Sequence, residues 1–107
     1  MIIIAVKDVF FSAKISETAN RLGKKTEFAT DENELLSMAK KGNGLVIADL
    51  NAFPLSSLEA AKKEGLTIIG YLSHVQTDLR KRAVKVCDEV ITQSELTKDL
   101  PNIISKH

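Results

Sequence analysis

The chain has 107 residues, 44% of them hydrophobic and 27% charged, and its 15 Lys plus Arg nearly balance its 14 Asp plus Glu, for a net charge of +1. A chain this size closes one hydrophobic core, so a single domain over residues 1–107 is expected, and the apolar fraction is too high for a disordered chain. The charge balance argues against a broad grip on nucleic acid or anionic lipid. The lone cysteine, Cys87, excludes an internal disulfide and any multi-cysteine metal site, and no apolar run approaches the roughly 18 residues of a membrane span.

The first apolar run, Ile2–Val6, reads as a buried strand. It has no basic lead and no small-residue cleavage site, so no signal peptide is read and a cytoplasmic location is expected. Phe11, Ile15, Thr18, Ala19 and Leu22 then share a helical face that Gly23 ends. Thr26–Thr30 is a second, more polar strand. Asp31 and Glu34 stand in capping-box spacing ahead of Leu35, Met38 and Ala39, with a stop near Gly42. Leu45–Asp49 is the third strand. Ser56 and Glu59 repeat the box spacing and predict a third helix that carries Leu58 and Ala61 and stops at Gly65. Thr67–Leu72 is the fourth strand, and Leu79, Ala83 and Val86 form the inner face of a fourth helix. Glu89–Thr92 is the fifth strand, followed by a short helix from about Asp99, since Pro101 cannot lie deep in a helix.

The strand centres recur about every 21 residues, the length of a strand, a helix and two short loops. That period predicts βα units and a parallel sheet. Ile2–Val6, Leu45–Ala48 and Ile68–Tyr71 are apolar throughout, as central parallel strands must be, whereas the second and fifth strands are mixed, as edges are. The expected architecture is α/β: a flavodoxin-like (βα)5 three-layer sandwich with a five-stranded parallel sheet in the order 2-1-3-4-5. Its ligand crevice would lie beyond the carboxyl ends of strands 1 and 3. Asp49, Lys7, Asp8, Ser73 and Gln93 all fall at that end.

Leu45-Val46-Ile47-Ala48-Asp49-Leu50-Asn51, Val6-Lys7-Asp8 ahead of the first helix, Ser73 after the fourth strand and the five-unit length resemble the receiver domain of bacterial response regulators, the family of the chemotaxis regulator. The resemblance runs from Ile2 to about Ile104. Leu72–Thr77 is also similar to a stretch of stand-alone receiver-like proteins. The resemblance implies Mg²⁺-dependent phosphorylation of the strand-3 aspartate in a two-component phosphorelay. The metal would be held by an acidic pair after strand 1, by the acceptor and by a backbone carbonyl two residues on, with a hydroxyl after strand 4 and a lysine after strand 5 on the phosphoryl group. Asp49 stands at the acceptor position, Asn51 at the carbonyl position, and Ser73 supplies the hydroxyl. Asp8 fills the second place of the acidic pair, but Lys7 stands at the first. Gln93, or Thr92, stands where the lysine belongs, Val90 where an aromatic often reports the switch, and Pro54 one place late behind Phe53.

An ammonium about 4 Å from a divalent cation is repelled by several kcal/mol even at an effective dielectric near 20. The same ammonium beside Asp49 would pair with it. Loss of the strand-5 lysine removes the cation that stabilises added phosphoryl charge. The pocket of Lys7, Asp8, Asn51, Ser73 and Gln93 around Asp49 therefore reads as a degenerate acidic site in a stand-alone, non-enzymatic pseudo-receiver, with no cofactor, acting in signalling or scaffolding through protein–protein contacts. The first alternative is a genuine phosphoacceptor, with Lys7 turned outward and Mg²⁺ on Asp8 and Asp49. The second is a small-molecule-binding flavodoxin-like domain with an enclosed pocket at the crevice. No G-x-S-x-G elbow surrounds a serine, and no glycine pattern follows the first strand to cradle a phosphate. Two partner surfaces are expected: Phe10 with Phe53 at the crevice mouth, and Arg80, Lys81, Val84 and Lys85 on the fourth helix. The partner is another protein, with a homodimer as the second option and no membrane. Nucleic acid is disfavoured because no aromatics interleave the basic residues.

Overall fold

The computed structural model describes all residues, Met1–His107. Five strands, β1 (Ile2–Ala5), β2 (Thr26–Phe28), β3 (Leu45–Asp49), β4 (Thr67–Leu72) and β5 (Glu89–Thr92), pair in parallel in the order β2-β1-β3-β4-β5. The helices are α1 (Val9–Arg21), α2 (Glu32–Ala39), α3 (Leu55–Lys63), α4 (Thr77–Ala83), α5 (Gln93–Lys98) and α6 (Leu100–Ser105). None is long and apolar enough to cross a membrane.

Side chains alternate across the sheet, and both faces are covered. Ile3, Ala5, Val46, Ala48, Ile68 and Leu72 face α2 and α3, where Leu35, Leu58 and Ala61 fill the layer. Ile2, Ile4, Leu45, Ile47, Ile69 and Tyr71 face α1, α5 and α6, where Phe11, Ile15, Leu96 and Ile104 close over them. This explains the wholly apolar β1 and the mixed β2, an edge of three residues.

The helix ends depart from expectation in four places, one of them α4, which ends at Ala83 and so excludes Val86. Asp31 caps α2 by accepting the Glu34 N–H at 2.8 Å, but the Glu34 carboxylate reaches back to the Thr30 N–H and hydroxyl rather than closing the box. Those two bonds, the hydroxyl first, hold Glu34 below its ordinary carboxylate value. The box expected at Ser56 and Glu59 is absent: Pro54 is the N-cap of α3, its fixed φ of −61° suiting the position, and Ser57 donates its hydroxyl to the Pro54 carbonyl at 2.7 Å. Finally, the chain enters α5 directly from β5, through a complete capping box of Thr92 and Glu95, and a separate α6 begins at Leu100 with Pro101 in its first turn.

Two glycines are required by close approach. A Cβ on Gly44, at φ +129°, would lie 2.4 Å from the Met1 carbonyl oxygen, and one on Gly70 would lie 2.6 Å from Leu50 Cδ2.

Candidate functional site

Asp49 closes β3 half-buried, because its neighbours Ala48 and Leu50 are drawn into the core while the strand's carboxyl end opens to solvent. Its Oδ1 accepts the Asn51 N–H at 2.9 Å, so the carboxylate turns the chain back over the sheet end. Asp8 follows β1 and caps α1, with Oδ1 taking the N–H groups of Phe10 at 3.0 Å and Phe11 at 3.1 Å. Both carboxylates act on Tyr71, which pairs in register with Asp49 from β4 and packs its ring edge-on to Phe11 at 5.2 Å. Burial pushes the Tyr71 hydroxyl far above the ordinary tyrosine value, and the negative charges of Asp49 and Asp8 add to the rise.

Lys7 is exposed and does not pair with Asp49. The four ion pairs of the molecule are Arg21–Glu17, Lys41–Glu27, Lys62–Asp88 and Lys63–Glu59. Lys7 instead lines a groove of about 260 Å³ between α1 and the β2 edge, with Val6, Val9, Ala13, Phe28 and Thr30. The ion pair expected between Lys7 and Asp49 is therefore not formed, and Lys7 lines the β2 side of the sheet end.

Ser73 is exposed, with its Oγ accepting the Val75 N–H at 3.4 Å and its own N–H held by Gln76 Oε1 at 3.0 Å. Gln76, which the sequence reading passed over, also forms a two-way amide pair with Asn51. Nothing in the local sequence signals this contact, which joins loops 25 residues apart. Thr92 and Gln93 are committed to the start of α5: the Thr92 hydroxyl accepts the Glu95 N–H at 3.0 Å, and the Glu95 carboxylate accepts the Thr92 N–H at 2.8 Å. Thr92's N–H and hydroxyl in turn lower the Glu95 carboxyl from its ordinary value.

The expected surfaces divide. Phe10 stands 89% exposed on the first turn of α1, whereas Phe53 is 2% exposed in the core beneath the β3–α3 loop and forms no part of a surface. Its extra place ahead of Pro54 lets the ring fold inward as packing. On α4, Lys81 is exposed, but Arg80 lies back across the sheet edge and donates to the Val90 carbonyl at 3.3 Å. Val84 and Lys85, expected on the fourth helix, are exposed beyond its end at Ala83. Cys87 is buried, and burial, ahead of the Asp88 charge, pushes its thiol up to about 11, so it stays protonated at neutral pH. The second groove, about 580 Å³ and open, continues along α1 past Phe28 to Arg21. Neither groove is lined by β3 or its following loop, so the enclosed pocket expected at the crevice is not formed.

No family model matches the chain, and no curated protein sequence matches it. Solved structures do. The receiver domain of the sensor histidine kinase PA1611 from Pseudomonas aeruginosa PAO1, with a magnesium ion coordinated in its active-site cleft, superposes with a TM-score of 0.78 at 12% identity, over 98% of this chain and 93% of that one. The receiver domain of NtrX from Brucella abortus gives 0.78 at 15% identity, over 99% and 98%. The Francisella response regulator 1452 receiver domain gives 0.76 at 20%, over 98% and 95%. The chain thus has the fold of response-regulator receiver domains. The donor set at its sheet end fits a divalent cation poorly. Asp8 accepts two backbone N–H groups and Asp49 one, and nowhere do three His, Cys, Asp or Glu side chains converge.

Proposed function

We propose that the protein is a receiver-fold signalling module that acts by binding another protein and has lost phosphoryl-transfer chemistry at Asp49. The receiver fold supports the signalling role. The observation that carries the loss is the fate of the β5–α5 junction. The place of the phosphoryl-binding lysine falls on Thr92 and Gln93, and both are built into a capped helix start, leaving no cation there. Phosphorylation would replace the single carboxylate charge of Asp49 with a phosphoryl group of about two negative charges and no fixed ammonium to meet them. The exposed Phe10, with Val9 beside it at 74% exposure, supports an apolar protein contact at the same end of the sheet.

Incubation with acetyl phosphate and Mg²⁺, followed by intact-mass measurement, tests the proposal. The expected result is an unchanged mass. Gain of one phosphoryl group, abolished in Asp49→Asn, would overturn it and establish the second reading, a phosphoacceptor. That reading is favoured by two features: Lys7 forms no ion pair with Asp49, and the Asp8 and Asp49 charges both act on Tyr71.

A further inference from the structure

The loop Ser73–Gln76 between β4 and α4 is bound to the β3–α3 loop through side-chain amides. Gln76 Nε2 donates to Asn51 Oδ1 at 2.6 Å, and Asn51 Nδ2 donates to Gln76 Oε1 at 2.9 Å. Gln76 Oε1 also accepts the Ser73 N–H at 3.0 Å, and the Gln76 N–H returns to the Ser73 carbonyl at 3.1 Å. The orientation of the amides follows from the chemistry. The Ser73 N–H needs an acceptor, which places Gln76 Oε1 there and leaves its NH2 to face the Asn51 oxygen. With the Asn51 N–H on Asp49 Oδ1 at 2.9 Å, an unbroken series of hydrogen bonds runs from the Asp49 carboxylate through Asn51 and Gln76 to Ser73.

We propose that the Asn51–Gln76 amide pair is a latch that holds the β4–α4 loop in one conformation, with Val75 displayed to solvent at 69% exposure. This deepens the reading above: a module without a phosphoryl switch keeps one fixed loop for its partner. Asn51 is absent from the positive-φ positions, so alanine is accommodated there without backbone strain. The latch can therefore be opened from either side.

The test is amide hydrogen exchange followed by NMR on the full chain. Gln76→Ala and Asn51→Ala should each speed exchange at the Ser73 N–H by about fivefold to thirtyfold, the effect of losing one or two ordinary hydrogen bonds. Exchange at Ile47 and Ile69 in the central strands should hold constant. The swapped double variant N51Q/Q76N keeps both amides and their summed length, and should return Ser73 to within about twofold of the wild type. Wild-type rates at Ser73 in both single variants would overturn the latch. So would acceleration shared equally by Ile47 and Ile69, or failure of the swap to restore. Phosphorylation of the wild type would end the previous proposal without touching these rates, so the two fail separately.

Discussion

Gly70 lies in the middle of β4, and Leu50 lies across it, between the candidate acceptor Asp49 and the latch residue Asn51. An alanine at position 70 would set its Cβ 2.6, 2.9 and 3.0 Å from Leu50 Cδ2, Cγ and Cδ1. Carbon atoms in contact prefer about 3.5–4.0 Å, so Leu50 must retreat by about 1 Å. It is 5% exposed within a packed cluster and has little room. Overpacking of this kind costs about 1–3 kcal/mol. Removing a strand glycine recovers about 0.4–1 kcal/mol of unfolded-state entropy, so Gly70→Ala should lose about 1 kcal/mol net. Leu50→Ala alone should lose about 2–5 kcal/mol to its cavity. In the double variant the new methyl enters the space that Leu50 leaves, so the pair should be less destabilised than the sum of the singles by about 1–2 kcal/mol. Urea unfolding of the four proteins reads this coupling from the midpoints, with m held constant. Strict additivity would refute the claim that Leu50 is seated on a bare backbone, and with it this account of how the Asp49 turn is positioned.

Two further outcomes follow from burial and charge. Phe53→Ala should cost about 3–5 kcal/mol, while Phe10→Ser should stay within about 0.5 kcal/mol of the wild type; thermal unfolding separates the two. Asp88 accepts the Ile68 N–H at 2.7 Å and pairs with Lys62. Burial works against its charge, but these contacts prevail and lower its carboxyl from the ordinary value. The folded state therefore binds that proton more weakly than the unfolded state. The resulting stability is present above about pH 4 and lost as pH falls through the lowered folded value. Asp88→Asn should flatten that acid limb in denaturation measured from pH 6 to pH 2.

Strand positions and sheet order were legible because each rests on a local pattern with one physical reading. A parallel strand covered on both faces has to be apolar at every position, as Ile2–Ala5 and Leu45–Ala48 are, and an edge does not. The site was legible only as a set of residues brought to one end of the sheet. The pairing of Lys7 was not, because a lysine after β1 can reach Asp49 or lie along the groove with Val9 and Phe28, and nothing in the local sequence chooses between them. Nor was the Asn51–Gln76 pair, since two amides in separate loops leave no periodic trace. At α3 the box spacing of Ser56 and Glu59 misled. Leu58 and Ala61 reach the core with the helix begun at Leu55, and Pro54 already supplies the required φ.

The Thr92–Glu95 cap also governs how easily this end of the sheet could take a lysine. Thr92→Lys would remove the cap, at about 1 kcal/mol, and Gln93→Lys would set a cation at the positive end of a helix dipole. Each exchange weakens the start of α5, so a lysine introduced at this junction by a single codon change meets resistance from the helix end itself.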